Sequence, residues 1–257
     1  MIDRLETPSI LVDMHQVRSN LKRMADDVLQ SGCTLRPHVK THKIPELARL
    51  AIAYGACGIT AAKVSEAEVM ADGGIGDIFI AYPLVGDFRI RRAGALSRRV
   101  RLILAVDSLI GSQALSDYAL RESIVFEVRL EVDTGLKRTG AAMEQVPELA
   151  HAIAHLPGLR LTGLFTYRGP ILDGKPTTDN MAAGRQEGRW LAELAARLRG
   201  EGLDIVDVSG GSSPTGRHVA AVEGVTEVRP GTYIFNDCMQ VMEKACTLEQ
   251  CAAVVLV

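Results

Sequence analysis

The sequence has no strong excess of charge of either sign. Its 257 residues carry 29 Lys and Arg against 31 Asp and Glu, a formal net charge of −2, which gives no basis for a nucleic-acid or anionic-membrane partner. The basic clusters at 89–92 and 98–101 read as solvated helix ends. Long apolar runs are missing too. No segment approaches the ~20 apolar residues of a membrane span, and residues 1–6 hold no stretch of signal-peptide type, so the expected compartment is the cytoplasm. Cysteine is scarce. Its five positions (Cys33, Cys57, Cys238, Cys246 and Cys251) are odd in number and irregular in spacing, fitting neither a disulfide framework nor a CxxC metal clip, so free, buried thiols are expected. With 47% hydrophobic and 23% charged residues, what remains is an ordinary globular chain with material for a large core.

What the chain does have is a regular alternation. A short strand at 10–13 leads into a helix over 14–29, with Val17, Leu21, Met24 and Val28 at helical spacing and Gly32 closing it. Apolar strand segments follow at 34–39, 58–61, 77–81, 101–106, 125–132, 160–165, 205–208 and 226–229. Amphipathic helices are expected between them at 44–53, 65–72, 87–96, 109–120, 144–155 and 181–199, while the connection before Thr226 is too short to assign. Eight strands with helical crossovers in this length point to a (β/α)8 TIM-type barrel rather than an open doubly wound sheet. Such a barrel gathers its chemistry at the C-terminal strand ends, and Lys40, Lys63, Tyr82, Asp107, Arg138, Tyr167, Ser209 and Tyr233 all fall there. The irregular connection 168–178, with its Gly and Pro, reads as a lid or a partner-facing loop. The final run, 251–257, reads as a buried strand without a pairing partner in sequence, which implies a further strand-rich domain downstream.

Three segments carry chemistry. In Arg36-Pro37-His38-Val39-Lys40-Thr41-His42-Lys43, a lysine at the end of a buried strand can lose part of its hydration and serve as an amine nucleophile towards a carbonyl; the same letters also describe a basic surface loop. Ser209-Gly210-Gly211-Ser212-Ser213-Pro214-Thr215 offers close backbone N–H groups and hydroxyls to an anion, or is a flexible Gly/Ser loop. Arg229-Pro230-Gly231-Thr232-Tyr233 adds a second set of donors, or is a plain Pro-Gly turn. A fourth segment, 131–138, would place Arg138 over the barrel mouth, or is a turn with exposed charges.

These motifs, together with Thr7-Pro8 and Ala62-Lys63-Val64-Ser65-Glu66-Ala67-Glu68, resemble the D-threonine aldolase and D-serine dehydratase family, which belongs to the alanine-racemase-like, fold-type III pyridoxal phosphate enzymes. The resemblance implies that Lys40 carries pyridoxal 5'-phosphate covalently, that Arg138 lies near its phenolic oxygen, and that Tyr167 faces the substrate. It further implies a phosphate shell of Ser209, Gly210, Gly211, Gly231, Thr232 and Tyr233, and an Arg229 near the pyridine nitrogen. Lys40, Tyr167 and His38 are the expected catalytic residues. The implied reaction is a D-threonine aldolase-type cleavage of a β-hydroxy D-amino acid to glycine and an aldehyde. The alternatives are a dehydratase-type β-elimination, a non-catalytic pyridoxal phosphate-binding remnant and, third, racemisation. A homodimer is implied as well. The family's divalent metal is held by a C-terminal β-domain, so residues 1–235 are expected to form the barrel and 236–257 only the start of that second domain, with no metal ligands in this chain.

Overall fold

The computed structural model describes residues 5–257; Met1 to Arg4, part of the N-terminal run read above, lie outside the described residues. In chain order the elements are β1 (Ser9–Val12), α1 (Met14–Gln30), β2 (Thr34–Leu35), α2 (Pro45–Ala53), β3 (Ile59–Ala61), α3 (Val64–Asp72), β4 (Asp77–Ile80), α4 (Asp87–Ser97), β5 (Arg101–Val106) and α5 (Leu109–Arg121). There follow β6 (Phe126–Asp133), β7 (Ala141–Ala142), α6 (Val146–Ala154), β8 (Leu159–Phe165), β9 (Ile171–Leu172), β10 (Lys175–Pro176), α7 (Asn180–Gly200), β11 (Asp207–Gly210), α8 (Gly216–Ala220), β12 (Glu227–Val228), α9 (Cys238–Met242) and β13 (Ala253–Leu256). Among the described residues, no helix is long and apolar enough to cross a membrane.

Eight parallel strands run side by side in the order β2, β12, β11, β8, β6, β5, β4, β3. A bridge between His38 and Thr60 joins the two outermost strands, so the ring closes as a (β/α)8 barrel of the TIM type. Each strand is covered by helices outside and side chains within, which is why most strands read as continuous apolar runs. Strand β6, Phe126-Glu127-Val128-Arg129-Leu130-Glu131-Val132-Asp133, is the informative exception. Phe126, Val128, Leu130 and Val132 belong to the outer apolar core, while the alternate residues Glu127, Arg129 and Glu131 form buried polar contacts inside the ring. Arg129 and Arg229 stack there against Phe79, with ring centroids 5.0 Å and 5.8 Å from their guanidinium carbons.

That interior is held by ions rather than by apolar packing alone. Glu227 accepts from Arg36 Nε at 2.6 Å, from Arg129 at 2.6 Å and from the Ser209 hydroxyl at 2.6 Å. Asp77 holds the far side of Arg36, and Asp207 pairs with Arg129 at 2.9 Å. Burial alone would raise the Glu227 carboxyl, but the Arg129 and Arg36 charges outweigh it and hold the group down to about 2.

Three details depart from the expected elements. The first barrel strand stops at Leu35, because the Pro37 that follows has no N–H for a ladder. Five residues before Thr226 do form a helix, α8. The C-terminal run is neither buried nor unpaired: β13 lies antiparallel to β1 with Ser9 opposite Leu256, and leaves Ile10, Val254 and Val255 exposed. Its partner is the opposite end of the described chain, which local sequence cannot show. The cysteines are free, but only Cys33 is buried.

Candidate active site

Lys40 owes its position to the two histidines beside it. Past Pro37 the chain turns through a 3-10 segment, Val39–Thr41, whose Val39 is wholly buried and pins the turn to the barrel rim. His38 Nδ1 accepts from the Lys40 amide at 3.3 Å, and His42 Nδ1 accepts from the Ile44 amide at 3.0 Å. Both rings therefore act as neutral acceptors. Burial, with the Lys40, Arg229 and Arg138 charges added, pulls His38 well below the usual imidazole range, and burial brings His42 down to about 4. His38 thus shapes the turn that presents Lys40.

The Lys40 side chain opens to the barrel mouth, and its Nζ lies 5.4 Å from the centroid of the Tyr167 ring. Arg138 stacks on the same ring at 5.3 Å. Partial burial of the amine, then the charges of Arg138 and Arg229, lower the Lys40 ammonium below its ordinary value, with Glu66 opposing. More of it is neutral, and nucleophilic, than in a solvated lysine.

Two cavities meet at this lysine. One, of about 180 Å³, is lined by Ala62, Ala81, Tyr82, Glu131, Arg138 and Phe165 and serves as a ring-sized lobe. The other, of about 160 Å³, is lined by Thr41, Ser212, Ser213, Gly231 and Thr232 among others. His38, Lys40, Tyr167 and Arg229 border both. Asp237 and Glu243 also reach the second lobe, but Asp237 caps α9 by accepting from the Gln240 amide, and Glu243 accepts from the Gln240 side chain. A larger hollow of about 720 Å³ adjoins the first lobe through Ala62 and Tyr82 and takes in Lys63 and Phe88.

The second lobe is built for close approach. Ser213 Oγ accepts from the amides of Gly231, at 3.3 Å, and Tyr233, at 3.0 Å, so the two loops after β11 and β12 are tied together. A Cβ at Gly231 would stand 3.0 Å from the His38 carbonyl oxygen, which leaves only glycine comfortable against the Lys40 turn. Gly211 adopts a positive φ of 77°, and a Cβ there would meet Gly216 Cα at 2.9 Å.

Lys40, His38, Arg138, Tyr167, Arg229, Gly231 and Thr232 converge on the cavities as the sequence predicts. Ser209 does not, because it sits within β11 and its hydroxyl is taken up by Glu227 and Arg229 inside the barrel. Gly210 and Gly211 lie behind the lobe, where the Gly211 amide reaches Glu187 at 3.4 Å. Tyr233 is also buried away from it, its phenol pushed up by burial and without a hydrogen-bond partner among the described residues. In their place stand Ser212 and Ser213, members of the same motif. Arg229 reaches the cavity floor while donating to Ser209 at 2.5 Å and to the Thr166 carbonyl at 2.6 Å; burial brings it down to about 10, so it stays cationic at neutral pH. The connection 168–178 forms a small hairpin, β9 against β10, whose Pro170 touches the second lobe. Glu131 was missed as a site residue. Its signal was the Glu-x-Arg-x-Glu alternation in an otherwise apolar strand, which in a barrel covered on both faces must point inward.

Comparison with known proteins agrees with this geometry. A family model described as "Alanine racemase, N-terminal domain" matches residues 12–238. The chain is 35% identical, over 98% of its length, to D-threo-3-hydroxyaspartate dehydratase of Delftia sp., and 32% identical, over 91%, to D-threonine aldolase of Arthrobacter sp.. It spans 67% and 62% of those proteins, about two thirds of their length. The crystal structure of D-threonine aldolase from Filomicrobium marinum superposes with a TM-score of 0.89 at 28% identity, covering 99% of this chain and 70% of that one.

Proposed function

The chain belongs to the alanine racemase N-terminal domain family, and from that premise we propose that it is the cofactor-binding barrel of a pyridoxal phosphate-dependent lyase acting on β-hydroxy D-amino acids. The observation that carries this is the placing of a Lys40 amine with lowered proton affinity where a ring-sized lobe meets a lobe of hydroxyls and amides. The residues fit such a group. Ser212, Ser213 and Thr232 would supply donors to a phosphate, the Gly231 backbone would leave it room, and Lys40 would hold its carbonyl carbon. Arg138 and Glu131 line the lobe that would take its ring.

When bound through Lys40, the cofactor supplies an electron sink for charge developing at the substrate's Cα. The chain's own residues do the rest. Lys40 holds and returns a proton at Cα, Tyr167 walls the cavity on the mouth side, and neutral His38 keeps the Lys40 turn in place. In the reaction we favour, a base takes the β-hydroxyl proton of a D-threonine-like substrate, the Cα–Cβ bond breaks to release the aldehyde, and Cα takes up a proton from Lys40 to leave glycine. A second reading, elimination of the β-hydroxyl after Lys40 removes the α-proton, is supported by the 35% identity to a protein named as a dehydratase. Supplying D-threonine and assaying glycine against 2-oxobutanoate separates the two. Glycine supports the first, 2-oxobutanoate the second, and neither product overturns both as activities of this chain. The divalent metal that the resemblance implies finds no fitting ligand set: among the described residues, no three His, Cys, Asp or Glu side chains come together for one.

The same reading assigns residues 1–235 to the barrel and residues 236–257 to a second, strand-rich unit. The exposed Ile10, Val254 and Val255 on the β1–β13 ribbon support it. It also places the protein in the cytoplasm as a homodimer, an assembly that a monomer mass in light scattering would contradict.

A further inference from the structure

Three inward-facing charges climb β6 from the barrel floor to its mouth. Glu127 meets Arg101 at 2.6 Å and Arg160 at 3.0 Å. One turn of the pleat higher, Arg129 meets Glu227 at 2.6 Å and Asp207 at 2.9 Å. Glu131, the topmost, has no such partner. Its Oε1 accepts from the Thr139 hydroxyl at 2.8 Å, but its Oε2 is buried without any hydrogen-bond partner among the described residues. The residue is only 4% exposed and lines the ring-sized lobe together with Lys40, Arg138 and Tyr167. A buried carboxyl oxygen left unmatched is costly and is retained where something else completes it.

Resting on the function proposed above, we propose that Glu131 is a contact residue of the cofactor ring, its unmatched Oε2 completed by a hydrogen bond with a polar atom of that ring. A carboxylate oxygen accepts from a ring N–H or O–H, and the protonated acid donates to a ring oxygen. Burial raises the Glu131 carboxyl, Asp107 adds to the rise, and the Thr139 hydroxyl, Arg229 and Arg138 oppose it. Across the lobe stand Lys40, His38, Tyr82 and Tyr167. None of them lies within hydrogen-bond reach of Oε2. Thr139 has a different part, tying the Arg138 loop to β6 through Oε1.

Two near-isosteric substitutions separate ligand contact from loop support. The chain is loaded with pyridoxal phosphate and its visible absorbance band is titrated with pH. In the unaltered chain a contact at Glu131 gives the band a titration step on the alkaline side of the ordinary carboxylate range. Glu131→Gln, which keeps an acceptor for Thr139 but cannot ionise, loses that step; Thr139→Val, which cuts the tie to the loop, keeps it. A Glu131→Gln profile identical to the unaltered one overturns the inference, and so does a Thr139→Val profile that loses the step as well. Absence of any band in the unaltered chain overturns the proposed function and this inference together. A band present but indifferent to Glu131→Gln overturns the inference alone.

Discussion

The Lys40 ammonium lies 5.4 Å from the centre of the Tyr167 ring, and Arg138 occupies the same ring at 5.3 Å. One aromatic side chain therefore orders two cations that would otherwise repel each other across the barrel mouth. A cation over an aromatic face is worth about 0.5–2 kcal/mol according to how far it is desolvated. Tyr167→Phe keeps the ring and should leave cofactor retention within a few-fold. Tyr167→Ala removes it and should weaken retention by roughly tenfold. Equilibrium dialysis of pyridoxal phosphate against the three chains decides; equal retention in all three would show that the ring orders nothing.

The second expectation concerns pH. Burial, then Arg138 and Arg229, lower the Lys40 ammonium from its ordinary 10.5, so the neutral amine appears at lower pH than in a free lysine. Removing one of those cations relieves the destabilised ammonium. Arg138→Gln should accordingly shift the pH profile of covalent cofactor capture upward. A profile that stays in place, or moves to lower pH, means that Arg138 does not act on the amine.

Gly231 gives a steric prediction. With a Cβ only 3.0 Å from the His38 carbonyl oxygen and 3.1 Å from His38 Cβ, Gly231→Ala pushes against the segment that carries Lys40. Overpacking of this kind costs about 1–3 kcal/mol. The variant should lose thermal stability and cofactor affinity together, as read by a melting scan with and without pyridoxal phosphate. Unchanged values in both would place the Lys40 turn further from Gly231 than described here.

Glu227 ties the barrel interior to the site through Ser209 and Arg229. Its folded-state pKa is depressed to about 2, so its stabilisation is complete above the unfolded carboxylate pKa of about 4.3 and is lost as pH falls towards 2. Glu227→Gln leaves Arg36 and Arg129 inside the barrel without their shared counter-charge, which should cost about 3–5 kcal/mol. Denaturant titrations at neutral and acid pH should show the gap between the two chains narrowing as the pH drops. A gap that is constant or widens contradicts the ion-pair assignment.

Much of this was legible in the sequence. The alternation of strand and helix gave the eight barrel strands within a few residues, because most strands are apolar runs and the helices between them carry apolar residues at helical spacing, as Val17, Leu21 and Val28 do in α1. Lys40, Arg138 and Tyr167 stand at predicted strand ends, while their expected roles and that of Arg229 came from the resemblance to the family. Ser209 lies three and four residues before Ser212 and Ser213, which line the second lobe; a Gly/Ser motif does not say where the strand ends and the loop begins. The β1–β13 pairing was beyond reach, joining residues at opposite ends of the chain. Glu131 stayed hidden because a buried carboxyl oxygen left unmatched among the described residues is a property of the folded barrel and not of the local sequence.

The central claim is that Lys40 is the covalent anchor. Incubation with pyridoxal phosphate, reduction with borohydride and peptide mass mapping test it most directly. One cofactor-derived mass increment on the peptide containing Lys40, absent from Lys40→Ala, is the predicted result. The same increment retained in Lys40→Ala, or carried instead by Lys43 or Lys63, would contradict it.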